Sequence, residues 1–156
     1  VAVNTINFII PKSRDKFSAT AVEFSNKAHE LGIKTALYMT HAYLKNDKRY
    51  ESDLIVKIKK NYYEAALKSD SLVIPVGIAY EIAYAEDPKI KLHHPDGTHP
   101  GMLGTYLGAC TVFTIITDSS PEGLSYDYLD RVSEEEKVFL QRVAWKAYLQ
   151  NKDLIK

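Results

Sequence analysis

The chain has 156 residues, of which 46% are hydrophobic and 26% are charged, the composition of an ordinary globular domain. Lysine plus arginine equals aspartate plus glutamate at 20 each, so the chain lacks the basic excess of a strong nucleic-acid binder. The longest apolar stretch, residues 102–116, is interrupted by polar residues and too short for a bilayer, which takes about 20 apolar residues, so we expect neither nucleic acid nor membrane as a partner.

Hydrophobic periodicity predicts alternating strands and helices from the start of the chain. Residues 7–10 form a short apolar run that Pro11 ends, the pattern of a buried strand. Apolar residues then recur at helical spacing from Phe17 to Leu31, and Gly32 follows as the expected C-cap. The alternation continues with strands at 33–39 and 71–76 and helices at 54–66 and 78–85.

Two further helices complete the predicted order. Pro100 is expected to open the first of them, since proline suits the first helical turn. On this helix Gly104 and Gly108 form a GxxxG pattern, which favours close packing of a neighbouring element. Ser133 and Glu136 form a capping box at the start of the last helix.

This order of elements predicts an α/β fold, a three-layer sandwich with a parallel sheet between helices. Residues 1–156 are expected to form a single domain. Active sites in such folds lie beyond the carboxyl ends of the strands. The segments where a site is expected are therefore those after Pro11, Met39 and Pro75, together with residues 87–99.

One of these segments carries groups suited to acid–base chemistry. Asp96 and His99 are three residues apart across an Asp-Gly turn, with His99 beside the predicted start of a helix. A carboxylate that holds one imidazole nitrogen stabilises the imidazolium formed when the other nitrogen takes a proton. The helix start disfavours a charged imidazole and Asp96 opposes that effect, so His99 is expected to act as a base near neutral pH. The same spacing also occurs in a plain polar turn in which Asp96 caps the following helix.

The sequence around this pair resembles the last conserved block of the SGNH (GDSL-like) hydrolases. Residues 95–110, Pro-Asp-Gly-Thr-His-Pro-Gly-Met-Leu-Gly-Thr-Tyr-Leu-Gly-Ala-Cys, are similar to a bacterial subgroup in which Asp-Gly-x-His-Pro leads into Gly-x-Tyr-Leu-Ala-Ala-Cys. Residues 35–40, 74–79 and 139–145 resemble the fourth strand, the fifth strand and the closing helix of that subgroup. The resemblance covers roughly residues 17–150, in order and with plausible spacing.

The resemblance implies a flavodoxin-like fold and a serine-type ester hydrolase. Asp96 and His99 match the catalytic acid and base of the family. In the family the histidine deprotonates a serine, which attacks an ester carbonyl to form an acyl-enzyme that water hydrolyses. The implied substrate is a small acylated compound such as a carbohydrate ester, and no cofactor or metal is implied.

The chain departs from the family pattern at the nucleophile. A Gly-Asn-Ser or Gly-Asp-Ser block should precede the helix at 17–31, and neither this block nor the family's glycine and asparagine blocks is found. Ser13 is the one serine in a suitable predicted loop, and its surroundings fit the start of a helix better. Position 41 is His41, where an aromatic residue such as tryptophan is expected.

The missing blocks have a structural consequence. We expect the first strands of the fold and the nucleophile to be absent from this sequence or to reside in another chain. A sheet without its first strands exposes an apolar edge and loses core burial. The chain is therefore expected to form a homo-oligomer or to pair with an N-terminal partner fragment.

Two other interpretations stay open. His93, His94, Asp96 and His99 offer metal ligands within seven residues, although adjacent histidines before a proline converge poorly on one ion. Alternatively, the chain is a non-catalytic, degenerate hydrolase domain that binds a glycan or a protein, using some of its 11 tyrosines as a stacking surface. A nucleotide-binding domain is disfavoured, because no glycine-rich loop follows a predicted strand.

The single cysteine excludes an intrachain disulfide. Cys110 lies in an apolar run, which predicts a buried structural thiol. The compartment is not fixed by these residues. A secreted or periplasmic location fits an esterase of this kind, and no signal-peptide pattern is found.

Overall fold

From Pro11 onward the helices and strands follow the predicted order, with three consecutive helices at the end. The computed structural model describes the backbone of residues 11–155 and the side chains of residues 15–154. In that part the elements are α1 (Pro11–Glu30), β1 (Ala36–Tyr38), α2 (Leu54–Ser69), β2 (Leu72–Ile74), α3 (Val76–Glu86), α4 (Met102–Thr117) and α5 (Glu134–Ile155). The fold is therefore mixed α/β and mostly helical.

β1 and β2 form a small parallel sheet within the described residues. The register pairs Ala36 with Leu72, Leu37 with Val73 and Tyr38 with Ile74. The two strands run parallel because α2 lies between them in sequence and returns the chain to the same end of the sheet. The loop after β1 and the start of α3 therefore emerge together at the carboxyl end.

Apolar side chains pack on one face of this sheet against α1 and α2. Leu37, Met39 and Val73 join a buried cluster that includes Phe17 of α1 and Tyr62 of α2. The rings of Phe17 and Tyr62 lie 4.9 Å apart between centroids, so the two helices interlock through aromatic contacts.

A second cluster covers the other face. Ile74 packs with residues of α3, α4 and α5, among which Leu107, Leu140 and Val143 are fully buried. Each such aliphatic side chain contributes roughly 1.5–3 kcal/mol by leaving water. The sheet is thus held from both sides, which fixes the position of the loops at its carboxyl end.

The two glycines of α4 allow close packing, as the sequence predicts. A Cβ atom at Gly104 would lie 1.9 Å from the Tyr80 hydroxyl and 2.2 Å from the Leu92 carbonyl oxygen. A Cβ atom at Gly108 would lie 2.6 Å from the Tyr38 hydroxyl. Neighbouring elements therefore approach α4 more closely than any side chain would permit.

Some predicted boundaries are wrong. β1 and β2 are shorter than the strands predicted at 33–39 and 71–76, and Val76 already starts α3. α4 begins at Met102 with Gly101 as its N-cap, not at Pro100. The reason is that Pro100 forms an antiparallel bridge with His93, which holds the chain extended up to the helix.

The first helix is confirmed, but part of its predicted apolar face is wrong. Phe24 and Leu31 are 61% and 77% exposed, and the polar Ser25 is buried in the same region of the helix. Gly32 follows the helix with a positive φ of 71°, in agreement with its predicted capping role. The strand predicted at 7–10 lies outside the described residues.

Two further predictions are confirmed. Ser133 Oγ lies 2.7 Å from Glu136 Oε2, and the Ser133 amide donates to the same oxygen at 3.0 Å, which completes the capping box of α5. Cys110 is a free, buried thiol, and burial raises its pKa to about 11. No helix of residues 11–155 is long and apolar enough to cross a membrane.

Candidate active site

Asp96 and His99, called the acid–base pair below after the roles predicted for them, meet across the predicted turn. His99 Nδ1 lies 2.7 Å from Asp96 Oδ2, and the amides of Thr98 and His99 donate to Asp96 Oδ1 at 2.9 and 3.0 Å. Gly97 at the centre of the turn has a φ of 73°, which glycine adopts without strain. Asp96 therefore binds the backbone and the ring of His99 together. It does not cap α4, whose N-cap is Gly101.

These hydrogen bonds favour the ionised form of Asp96. Donation from the His99 amide, the His99 ring and the Thr98 amide holds the pKa of the Asp96 carboxyl well below its usual range. A carboxylate that stays charged at neutral pH can accept the Nδ1–H of His99 and stabilise an imidazolium. The side chains of Asp96 and His99 are 39% and 71% exposed, so the pair lies where a substrate can reach it.

The two histidines of the turn differ in their bonding. His99 uses Nδ1 to contact Asp96, and its Nε2 has no hydrogen-bond partner among the described residues. His94 Nδ1 also lies 3.2 Å from Asp96 Oδ2, but the same nitrogen accepts the Asp96 amide at 3.4 Å. Protonation of His99 on Nδ1 leaves the Nε2 lone pair open to accept a proton, which suits a general base.

The loop after β1 lies against the turn. The Leu44 amide donates to the Gly97 carbonyl at 2.9 Å, and Asn46 Nδ2 donates to the Pro95 carbonyl at 2.9 Å. The acid–base pair therefore lies at the carboxyl end of the sheet, where active sites of α/β folds are found. The sequence predicts this end but not the contact between the two loops.

A cluster of four aromatic rings packs beside the turn. His41 stacks on Tyr80 with centroids 4.5 Å apart and meets the edge of His93 at 4.6 Å. Burial, with a smaller contribution from His93, lowers the pKa of His41 to about 4. The neutral ring donates from Nε2 to the Thr98 carbonyl at 3.0 Å. His41, which stands where the resemblance implies an aromatic residue such as tryptophan, thus stacks on Tyr80 and bonds to the turn.

Both ring nitrogens of His93 are engaged. Nε2 lies 2.9 Å from the Ala42 carbonyl and therefore donates, and the Tyr84 hydroxyl donates to Nδ1 at 2.7 Å. Neither nitrogen keeps a lone pair for a metal. Among the side chains that the structure describes, no group of three His, Cys, Asp or Glu residues is arranged to hold an ion. The metal-site interpretation of His93, His94, Asp96 and His99 finds no support in this geometry.

The described serines do not hydrogen-bond to the acid–base pair. Ser25, Ser69 and Ser71 instead form a hydroxyl cluster with Thr35. Thr35 precedes β1 and Ser71 precedes β2, so this cluster lies at the amino end of the sheet, away from the pair. Ser13 falls within α1, and its side chain lies outside those described.

A cavity of about 560 Å³ borders the loop that contacts the turn. This volume falls within the range of roughly 300–1,000 Å³ typical of small-molecule sites. Its walls combine tyrosine rings, aliphatic groups and a few polar side chains. The lining residues are Ala42, Tyr43, Leu44, Lys45, Asn46, Tyr50, Glu51, Ser52, Ile55, Glu81, Tyr84 and His93.

Comparison with known proteins supports the fold. No protein-family model matches the chain, and no curated protein matches its sequence. The structure is similar to the crystal structure of a DUF4886 family protein from Bacteroides uniformis, with a TM-score of 0.79 and 21% sequence identity. The match covers 95% of this chain and 61% of that protein, so the chain spans less than two thirds of the length of this structural relative.

Proposed function

We propose that this chain carries the acid and base of a serine-type ester hydrolase, with Asp96 orienting His99 and His99 acting as general base. The observation that carries the proposal is the 2.7 Å contact between His99 Nδ1 and Asp96 Oδ2, which leaves Nε2 at the exposed edge of the ring. The arrangement of helices on both faces of a parallel sheet supports a three-layer, flavodoxin-like sandwich of the SGNH type.

The proposed reaction moves one proton through His99 in each direction. Nε2 accepts the proton of a serine hydroxyl as its oxygen attacks the ester carbonyl. The imidazolium, held by Asp96, then gives this proton to the departing alcohol, and an acyl-enzyme is left. Water hydrolyses the acyl-enzyme by the same proton route in reverse, which restores the serine.

The nucleophile is proposed to lie outside the residues that the structure describes. Among those residues no serine hydrogen-bonds to His99, and the serine cluster lies at the other end of the sheet. A further segment, an N-terminal partner fragment or a second copy of the chain would have to bring a serine within hydrogen-bonding distance of Nε2.

The cavity at the loop after β1 supports a small, polar substrate. Tyr50 and Tyr84 offer flat apolar faces, while Glu81 and Asn46 offer hydrogen-bonding groups within the same walls. Such a lining suits the sugar portion of a carbohydrate ester, whose ring has an apolar face and hydroxyl edges.

A serine-directed phosphonate tests the proposal. The native preparation is first analysed by intact mass, then treated with the phosphonate and assayed with a short-chain p-nitrophenyl ester. We expect labelling of one serine outside the described residues, with parallel loss of hydrolysis. If the native preparation is neither labelled nor active, the esterase proposal is wrong.

Among the described residues no serine hydrogen-bonds to His99, which also favours a second candidate, a degenerate hydrolase domain that binds a glycan or a protein. In that case Asp96 and His99 are an inherited turn, and replacement of His99 would leave binding unchanged. The phosphonate experiment separates the two candidates, because only a hydrolase gives a labelled serine.

A further inference from the structure

Thr98, inside the turn, has each of its polar groups bonded. Its amide donates to Asp96 Oδ1 at 2.9 Å, and its carbonyl accepts from His41 Nε2 at 3.0 Å. Its hydroxyl donates to Asp47 Oδ2 and accepts from Arg49 Nη2 at 3.0 Å. Rotation of Thr98 out of this position would break bonds on three sides at once.

Asp47 and Arg49 are bonded to each other as well as to Thr98. The guanidinium donates from Nε to Asp47 Oδ1 at 3.0 Å and from Nη2 to Oδ2 at 2.7 Å, and the Arg49 amide donates to Oδ1 at 2.7 Å. The guanidinium also lies 4.1 Å above the ring centre of Tyr43. The Asp47 side chain is only 7% exposed, and its bonds to Arg49 hold its pKa well below the usual range.

The acid–base pair needs support of this kind. Its two side chains are 39% and 71% exposed, and an exposed ion pair contributes little to its own geometry. A displacement of about 1 Å between reacting groups can lower a catalysed rate about 10²-fold. The bonds that fix the turn must therefore come from less exposed groups outside it, and Asp47 is such a group.

We propose that Asp47 and Arg49 are positioning residues, which hold the acid–base pair in its bonded geometry by fixing the hydroxyl of Thr98. This role rests on the proposed function, because a positioned acid and base matter only if they react. The mechanical role of Asp47 and Arg49, which is to hold the turn, does not depend on catalysis. The bonds from the Thr98 and His99 amides to Asp96 persist because the Thr98 hydroxyl is bonded to Arg49, 49 residues away in sequence.

Backbone amide exchange, followed by NMR, tests whether Asp47 and Arg49 hold the turn in place. Thr98→Val removes the hydroxyl and keeps the shape of the side chain, whereas Thr98→Ser keeps the hydroxyl. We expect the His99 amide to exchange about tenfold faster in Thr98→Val, the effect of losing a bond to a charged partner, and at the native rate in Thr98→Ser. Amides of α5, such as that of Val143, should not change.

A second variant shows whether faster exchange comes from the lost bond or from local misfolding at position 98. Asp47→Asn weakens the same anchor from the other side and should accelerate exchange of the His99 amide similarly. In the combined Asp47→Asn and Thr98→Val variant the His99 amide should exchange no faster than in either single variant, because both substitutions disrupt the same bond between the Thr98 hydroxyl and Asp47. Glu23→Gln, which breaks only the exposed ion pair with Lys27, is the matched control and should have no effect.

The effect of Asp47 and Thr98 on catalysis is measured on a preparation that hydrolyses the p-nitrophenyl ester. Thr98→Val and Asp47→Asn should lower kcat about tenfold with KM within about twofold, since Asp47 and Thr98 do not line the cavity. Unchanged exchange of the His99 amide in both variants, or an equal acceleration across α5, would overturn the positioning role. If the preparation proves inactive while exchange behaves as expected, the esterase proposal fails and the mechanical role of Asp47 and Arg49 stands.

Discussion

The carboxylate of Asp96 binds His99 at two points, the backbone amide at 3.0 Å and the ring nitrogen Nδ1 at 2.7 Å. Both bonds form within a single turn, so the orientation of the imidazole depends on the backbone conformation of that turn. Substitutions that strain the turn should therefore disturb the acid–base pair more than substitutions elsewhere that lower the free energy of unfolding by the same amount.

Gly97 and Gly32 offer a matched test of this dependence. Both have a positive φ, of 73° and 71°, but a Cβ atom at Gly97 would lie 2.1 Å from Asn46 Oδ1, whereas nothing lies within 4 Å of one at Gly32. We expect Gly32→Ala to lower the free energy of unfolding by about 1 kcal/mol, the cost of backbone strain alone. Gly97→Ala should lower it by about 2 kcal/mol, because Asn46 must also release Pro95.

Urea unfolding of the two variants measures this difference. The His99 amide should also exchange faster in Gly97→Ala than in Gly32→Ala. Equal stabilities for the two variants would mean that the Asn46 contact does not hold the turn.

Gly104→Ala should destabilise the protein although alanine favours helices. The gain in helix propensity is at most about 1 kcal/mol. A Cβ atom would meet the Tyr80 hydroxyl and the Leu92 carbonyl, and such overpacking costs about 1–3 kcal/mol or more. We expect a net loss of about 2 kcal/mol in urea unfolding. Thr105→Ala, an exposed change on the same helix, should have little effect, and a stabilised Gly104→Ala would show that α4 is less tightly packed than described.

His41 should make stability depend on mild acid. Its pKa is about 4 in the folded chain against 6.5 when unperturbed. Above pH 6.5 the ring is neutral in both states. As the pH falls from 6.5 towards 4, the unfolded chain takes up a proton that the folded chain does not, so stability is lost across this window, by about 3 kcal/mol from His41.

The variant His41→Phe tests this assignment. It keeps the stack on Tyr80 and removes the titrating group, although it also loses the bond to Thr98. Its free energy of unfolding should therefore be lower at pH 7 but should change less between pH 6.5 and 4.5. Some dependence should persist, because burial lowers the pKa of His93 as well. An unchanged slope in His41→Phe would exclude His41 as a source of the pH dependence.

The sequence predicts the order of the elements and the acid–base pair because both leave local signals. Apolar spacing identifies α2 and α5, and the resemblance of residues 95–110 to the SGNH hydrolases singles out Asp96 and His99, whose spacing alone also fits a plain polar turn. Strand lengths and the exposure of Phe24 are missed, because neighbouring elements decide how far a strand pairs and which side chains are covered.

The support of the turn could not be read from the sequence. Asp47 and Arg49 look like ordinary loop charges, and their partner Thr98 is 49 residues from Arg49. In the sequence His41 is only a departure from the expected aromatic residue, yet in the fold it bonds to the same threonine. Contacts at such separation leave no periodic pattern, so only the folded chain shows them.

The central claim is most directly tested by comparing His99→Ala with His94→Ala in hydrolysis of p-nitrophenyl acetate by the native preparation. The two histidines flank Asp96 and are both exposed, but they bond differently: His99 Nδ1 lies 2.7 Å from the Asp96 carboxylate, whereas His94 Nδ1 accepts the Asp96 amide at 3.4 Å. We predict that His99→Ala lowers kcat/KM by about 10³-fold or more, whereas His94→Ala stays within about twofold of the unmodified protein. Equal losses in the two variants, or full activity in His99→Ala, would contradict the assignment of His99 as the general base.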